Sequence, residues 1–259
     1  MTAVTQAVRR GWRLARSLAL YHGQPWRGPR LARLYRPFVP EGGLCFDIGA
    51  HVGSRTRCWR RLGARVVAVE PQVDCLAVLR ALFARDADVA LVAAAVGRES
   101  GSATLYEAPG NLTVTTLSTG WIADVSRDPG FAGLDWRPAG AVAVTTLDDL
   151  IARFGEPDFV KLDVEGHEAE ALAGLGRPLA ALSFEYVAAS PDGADACIAR
   201  LESLGRYRYA VSPGESHRLL DGWLDATDLQ RLLADRRLAG ASGDVYARRV
   251  EPLLGDHEP

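Results

Sequence analysis

The chain predicts an α/β fold, a mainly parallel sheet with helices on both faces, and three observations carry that expectation. From about residue 43 onward, short apolar runs alternate with helix-like segments, the pattern of strands joined by helical crossovers. Residues 158–164 place Phe159, Val160, Leu162 and Val164 in a near-continuous apolar run, as in a strand covered on both sides. The run 44–48 ends in a glycine-containing turn that opens a helix. With 259 residues, 48% hydrophobic and 24% charged, the chain has the composition of a soluble protein with a substantial core.

Strands are predicted over 44–48, 65–69 and 89–95, with helices over 54–62 and 73–85 between them. Segments 103–107 and 141–145 read as further strands. Thr146 is placed to cap a helix running through Phe154, with Asp148 and Asp149 in its acidic first turn. A strand over 158–164, a helix over 167–173, a strand over 179–186 and a helix over 194–204 follow. Strands near 207–212 and 244–249 and a helix near 227–234 complete the domain. Residues 108–140, rich in Gly, Pro and Trp, predict a long loop or lid, where binding residues tend to lie.

Residues 41–259 are therefore expected to form one domain behind a basic N-terminal helical arm, 1–40. Arg9, Arg10, Arg13, Arg16, Arg27, Arg30, Arg33 and Arg36 all precede the first acidic residue, Glu41. Val4, Ala7, Val8, Trp12, Ala15 and Leu18 can line one side of a helix, suited to packing on the domain or to docking on an anionic partner or membrane surface. The net charge of −2 does not suit a dedicated nucleic-acid binder, and no apolar run approaches the ~20 residues needed to span a bilayer. The N-terminus lacks the layout of a secretory signal. Cys45, Cys58, Cys75 and Cys197 are scattered with no Cys-x-x-Cys pair, as expected of reduced, mostly buried thiols in a cytoplasmic protein.

Lys161 and Asp163 interrupt the apolar run 158–164 on one face, because side chains in a strand alternate with period two. A buried charge without a partner costs several kcal/mol, so both groups need partners or a task. Among 30 basic residues Lys161 is the single lysine. Pairing of Lys161 with Asp163 or Glu185 is expected, since Glu185 reaches the same end of the next strand and neighbouring strands lie ~4.8 Å apart.

In the turn after the first strand, Gly49 and Gly53 allow a sharp bend and close approach of a ligand. Glu70, ending the second strand about 20 residues on, is placed to hold two ribose hydroxyls. A dinucleotide would need free amides for its pyrophosphate, whereas His51 crowds that position and Asp47 adds an anion. S-adenosylmethionine carries an ammonium and a sulfonium and no phosphate, so Asp47 favours it. An Asp47 that merely caps the turn is the structural alternative.

The ordered motifs Asp47-Ile48-Gly49-Ala50-His51-Val52-Gly53, Val69-Glu70-Pro71, Thr145-Thr146-Leu147-Asp148-Asp149-Leu150 and Lys161-Leu162-Asp163-Val164-Glu165-Gly166-His167-Glu168 resemble those of the FkbM-type methyltransferases. The likeness spans roughly 42–190. It implies a Rossmann-like class I methyltransferase fold, with a seven-stranded sheet whose seventh strand is reversed, and O-methylation of a sugar or natural-product hydroxyl. Carried over by position, it implies that Asp47, Gly49 and Gly53 shape the methionine end of the pocket. Glu70, with Pro71 beside it, would bind the ribose, and Ala95 and Val96 would lie near the adenine. The family usually has Asn where this chain has His51. Asn111 and Thr115-Thr116-Leu117 loosely match a later family stretch.

For the chemistry, Asp163, His167 and Glu185 are the candidate catalytic groups, with Lys161 as an internal counter-ion that fixes a carboxylate toward the acceptor. Glu165 and Glu168 suit the positive end of the following helix. A divalent cation on Asp163 with Glu165 or Glu185 is compatible with oxygen ligands, but no metal is assigned. Two other classes stay open. A nicotinamide-linked oxidoreductase is disfavoured by Asp47, His51 and the lack of a Tyr-x-x-x-Lys pair. A non-catalytic interaction module is disfavoured by the inward carboxylates Asp47, Glu70, Asp163 and Glu185.

Overall fold

The computed structural model describes residues 14, 17–19, 21, 23, 24, 26–108, 111–235 and 241–250. Val4, Ala7, Val8, Trp12 and Ala15, on which the proposed amphipathic side of the arm depends, lie outside the described residues.

After helix α1 (Arg27–Tyr35), the chain alternates β1 (Leu44–Ile48), α2 (Ser54–Arg61), β2 (Arg65–Val69), α3 (Val73–Phe83) and β3 (Val89–Val92). It then forms β4 (Ala95–Val96), β5 (Gly101–Ala108), β6 (Asn111–Thr116), α4 (Thr119–Val125) and β7 (Arg137–Thr145). Helix α5 (Leu147–Phe154), β8 (Phe159–Leu162), α6 (Glu168–Ala173), β9 (Ala181–Val187) and α7 (Pro191–Leu204) follow. Strand β10 (Tyr207–Pro213), α8 (Ala226–Ala234) and β11 (Ser242–Arg249) end the described order.

Seven strands form one sheet in the order β3-β2-β1-β8-β9-β11-β10. All neighbours are parallel except β11, which runs antiparallel to both β9 and β10. This is the Rossmann-like class I methyltransferase order with its reversed seventh strand. The chain leaves β1 toward β2 on one side and returns to β8 on the other, so a crevice opens between the carboxyl ends of β1 and β8.

Alternation divides the sheet residues between two layers. Phe46, Ile48, Val67, Val160, Leu162, Leu182, Phe184 and Val245 pack with α5, α6, α7 and α8. On the opposite face Cys45, Val66, Phe159, Ala181 and Tyr246 pack with Leu31, Leu34 and Tyr35 of α1 and Trp59 of α2, while Ala68 meets Leu76, Leu79 and Phe83 of α3. Residues 27–39 thus contribute to the core, through Leu31, Leu34, Tyr35, Phe38 and Val39. Thr146 caps α5 by accepting a hydrogen bond from Asp149 N at 3.0 Å, as its sequence predicts. All four cysteines are buried free thiols.

Two expectations are corrected. The predicted strand 89–95 breaks after Val92, and Ala95–Val96 pairs instead with β7 in a second sheet of order β4-β7-β5-β6. The predicted loop 108–140 is largely ordered, holding β6, α4 and the start of β7. Its aromatic residues are not lid surface: Trp121 packs edge-on to Phe131 and Trp136 in a satellite core with Val114, Val125 and Val187. Composition pointed to a loop because β7 is mostly exposed and carries the Gly and Pro residues of an edge-like ribbon.

Gly49 shows how tightly β1 and β8 converge. Its φ is +79°, and a Cβ there would collide with the Asp163 carbonyl oxygen. Gly49→Ala should therefore cost about 3 kcal/mol or more, through both the left-handed backbone and a backbone clash. Chemical denaturation would show it as a lowered midpoint, and an unchanged midpoint would refute the tight approach.

Candidate active site

The crevice is a cavity of about 300 Å³ lined from β1, β2, the second sheet, the β8–α6 turn, β9, the loop after β10 and β11. Lys161 lies beneath it, fully buried. Register places Asp47, Lys161 and Ser183 abreast on one face, with Tyr246 opposite Ser183 and Asp244 opposite Glu185. On that face the layer is apolar at the amino ends of the strands and becomes polar toward their carboxyl ends, where the crevice opens.

The Lys161 ammonium stands 2.7 Å from Asp244 Oδ1 and 3.6 Å from Asp163 Oδ2. Of the two expected partners Asp163 is the one that pairs, and a second, nearer carboxylate, Asp244, comes from β11. Burial opposes the charge on Lys161, but Asp163 and Asp244 outweigh it and hold the ammonium protonated. Arg55, from the first turn of α2, reaches Asp163 Oδ2 at 3.1 Å. Asp163 follows the last residue of β8, so the strand is shorter than predicted and the carboxylate sits on the turn. Burial would raise its pKa, yet Lys161 and Arg55 hold it below the usual carboxylate range.

Glu165 and Glu185 stand in the opposite condition. Burial, reinforced by the carboxylates around them, pushes both well above the ordinary range. Glu165 adopts a left-handed backbone with φ +53°, and Glu185 Oε2 has no hydrogen-bond partner among the described residues. Asp163, Glu165 and Glu185 offer oxygens within 4.8 Å of one another, a spacing able to hold a cation, although Lys161 and Arg55 already engage Asp163. Glu168 instead serves the turn: its Oε1 accepts from Val164 N and Gly166 N, and burial raises its pKa to about 7. His167, at the N-cap of α6, lines the cavity, and burial lowers its pKa.

At the other end Glu70 is 2% exposed and accepts hydrogen bonds from His51 N and Gln72 N, each at 2.8 Å. Burial nevertheless raises its pKa to about 7. His51 has φ +50°, a left-handed conformation that Asn and His adopt more readily than most residues, which accounts for His at this turn. Pro71, Ala95 and Val96 line the cavity beside Glu70. Asp47 and Gly53 lie behind the lining. Asp47 Oδ2 accepts from Thr56 N at 2.9 Å and from Thr56 Oγ1, so the carboxylate braces the first turn of α2. Burial raises its pKa, against the Thr56 hydrogen bonds.

Sequence reading missed Arg55, Asp244, Glu215 and His217, all of which line the cavity. His217 Nε2 lies 3.3 Å from Glu215 Oε2, which also accepts from Arg27 Nη2 at 2.6 Å. Burial, with Arg27 and Arg55 nearby, lowers the His217 pKa to about 4 against the pull of Glu215. Their one local signal is the Pro213-Gly214 turn that precedes Glu215. Of the loosely matched stretch, Thr115, Thr116 and Leu117 line the cavity together with Thr113 and Val114, whereas Asn111 is not in the lining.

A Rossmann-like sheet with a reversed strand and an acid at the end of β2 defines the class as a methyltransferase. The sequence profile of the Methyltransferase FkbM domain matches residues 47–209, and the chain belongs to that family. No curated protein sequence matches it significantly. Among solved structures, it is similar to an O-methyltransferase from Bacillus cereus in complex with S-adenosylhomocysteine (14% identity, 96% of this chain and 92% of that one, TM-score 0.46). It is also similar to precorrin-6Y C5,15-methyltransferase from Geobacter metallireducens (15% identity, 88% of each chain, TM-score 0.45). A TehB-like S-adenosylmethionine-dependent methyltransferase from Corynebacterium glutamicum shares 13% identity over 96% of this chain and 99% of that one, with TM-score 0.44. Among the described residues no helix is long and apolar enough to cross a membrane.

Lys161→Met should destabilise the protein by about 3–5 kcal/mol, because Asp163 and Asp244 are left without their internal cation. Adding Asp244→Asn should recover at least about 1 kcal/mol of that loss. Strict additivity in a denaturation double-mutant cycle would show that the pair is not coupled.

Proposed function

We propose that the protein transfers a methyl group from S-adenosylmethionine to a hydroxyl of a small acceptor, a sugar or polyketide-like compound. The observation that carries this reading is the separation of two carboxylates across one cavity. Glu70 sits deep at the end of β2, and Asp163 is held ionised by Arg55 and Lys161 at the end of β8.

The residues present suit this cofactor. Glu70 offers a buried carboxylate to the ribose diol, and the Ala94, Ala95 and Val96 wall suits a flat apolar base. The Gly49–Gly53 turn, bent through left-handed residues, leaves room for the methionine part, and Pro71 closes the ribose end. His51 stands at the turn, and Asp47 braces the helix that follows it. A pyrophosphate would meet Glu70 and Asp163 here, which disfavours a dinucleotide.

When bound, S-adenosylmethionine supplies an electrophilic methyl group. Transfer to the acceptor oxygen would form a C–O bond and leave the C–S electron pair with sulfur, and the hydroxyl proton would pass to a protein base. Asp163, anionic throughout, accepts a hydrogen bond from the hydroxyl and orients it. Glu185, whose surroundings raise its pKa, is biased toward its protonated form and serves as a hydrogen-bond donor to the acceptor, not as the base. His167, kept neutral by burial, lines the cavity and takes the proton from the hydroxyl. Lys161 acts as a positioning residue, fixing Asp163 without reaching the cavity itself. Proximity and exclusion of water behind the second sheet do the remaining work.

Two measurements check this reading. Calorimetry should show binding of S-adenosylhomocysteine and none of NAD. Glu70→Ala should lose that binding while Asp163→Asn retains it, and folded protein that ignores S-adenosylhomocysteine would overturn the assignment. The second is a pH series. Because Glu70 holds a proton up to about pH 7 and the ribose hydroxyls bind its ionised form, affinity should rise with pH and level off above about 7. Below that point it should fall by up to about tenfold per pH unit. Glu70→Gln should flatten the profile, and an unchanged slope in that variant would place the titration elsewhere.

A further inference from the structure

A second groove adjoins the crevice. Of about 490 Å³, it runs between α1 and α2, and Tyr21 and Ser54 line both spaces. Its charge is the reverse of the crevice's. Arg27, Arg57 and Arg61 line it, and among the described residues no carboxylate does. We propose that this groove is the phosphate subsite of the acceptor, so that the methylated compound is a phosphate-bearing sugar. The inference rests on the methyl-transfer reading of the crevice and names its substrate class.

Two observations converge. Arg57 and Arg61 stand one turn apart on α2, so two like charges share a face, an arrangement that costs a few tenths of a kcal/mol in an isolated helix and that a bound anion relieves.

Arg27 is the independent sign of a ligand. It is 7% exposed, and its guanidinium lies over the Tyr21 ring at 4.8 Å. Its Nη2 donates to Glu215 at 2.6 Å, but its Nε is buried with no hydrogen-bond acceptor among the described residues. A buried donor left unmade is costly, and an anion in the groove supplies the missing acceptor. A guanidinium fork matches a phosphate geometrically, and several of them together suit a group that carries more than one negative charge. Glu215 ties the two spaces together, because it pairs with Arg27 and lines the crevice beside His217. A hydroxyl presented to Asp163 and a phosphate held by Arg27, Arg57 and Arg61 would then belong to one acceptor molecule lying past Tyr21.

The test uses the full chain saturated with S-adenosylhomocysteine, titrated calorimetrically with inorganic phosphate, glucose 6-phosphate and glucose. Both phosphates should bind, and glucose 6-phosphate should bind more tightly than glucose. Arg61→Glu, at an exposed position, should weaken phosphate binding by about tenfold or more, roughly one charge-assisted contact. The matched charge reversal Arg30→Glu, on α1 outside the groove, should not. Affinity for S-adenosylhomocysteine should be kept in both variants, which shows them folded. No phosphate binding, or equal weakening by Arg30→Glu, would overturn the proposal while leaving the cofactor reading intact. Phosphate binding without S-adenosylhomocysteine binding would overturn the cofactor reading instead, and with it the acceptor assignment. Vesicles of equimolar phosphatidylcholine and phosphatidic acid form the last arm. If they retain the protein through Arg61 while glucose 6-phosphate does not bind, the groove serves a lipid headgroup and the acceptor assignment is overturned.

Discussion

The catalytic end of the sheet depends on one buried ammonium. Lys161 lies under the crevice with no exposure, and removing it from water is tolerable only because Asp244 and Asp163 both reach it. Asp244 is delivered by β11, the one strand of the main sheet that runs against its neighbours. Reversal places the amino end of β11 beside the carboxyl end of β9, and so sets Asp244 opposite Glu185. A parallel strand in that slot would present its other end there. The reversed strand is therefore part of the electrostatics of the site as well as of its architecture.

From that anchoring point the cavity acquires two chemically different ends. Toward β2 and β4 its wall combines Ala94, Ala95, Val96 and Pro71 with the polar groups of Glu70 and Gln72, which suits a base and a ribose. Toward β8, β9 and β11 it is crowded with carboxyl groups, of which Asp163 is held ionised by Lys161 and Arg55. For Glu165 and Glu185 the pull of Lys161 is outweighed by burial and the neighbouring carboxylates, and both keep their protons more strongly. Carboxyl groups of the same type thus acquire different proton affinities from their surroundings, which leaves Asp163 as an anionic acceptor of hydrogen bonds and biases Glu165 and Glu185 toward donating them. The second sheet matters to this chemistry because Leu105 and Thr113–Leu117 wall the crevice from water.

Much of this was legible in the chain. Lys161 announced itself by interrupting an apolar strand, and its burial and pairing with Asp163 follow from period-two alternation. Glu70 was found by its distance from the glycine turn, and Thr146 by capping chemistry. Asp47 was visible as an acid at the turn, though its hydrogen bonds run to Thr56 within the protein. The partners that come from distant segments were not legible. Asp244 lies 83 residues from Lys161, and Glu215 lies 188 residues from Arg27. Their local sequences carry no periodicity or motif that points at the crevice. Residues 108–140 misled for a different reason: a short exposed ribbon has the composition of a loop, and only its pairing with β5 makes it sheet.

By itself, then, the sequence determined the order of the main-sheet strands and the helices between them, the glycine turn, the acid at the end of β2 and the charged strand at β8. Each of these is a local property, set by alternation, capping or backbone freedom within a few residues. Only the tertiary structure decided which carboxylate the lone lysine takes, which arginine holds Asp163, and where an arginine-lined groove meets the crevice. Those outcomes depend on side chains brought together by strand order and by the packing of α1 and α2. Electrostatic energy varies with distance through space, and distance along the chain says little about it.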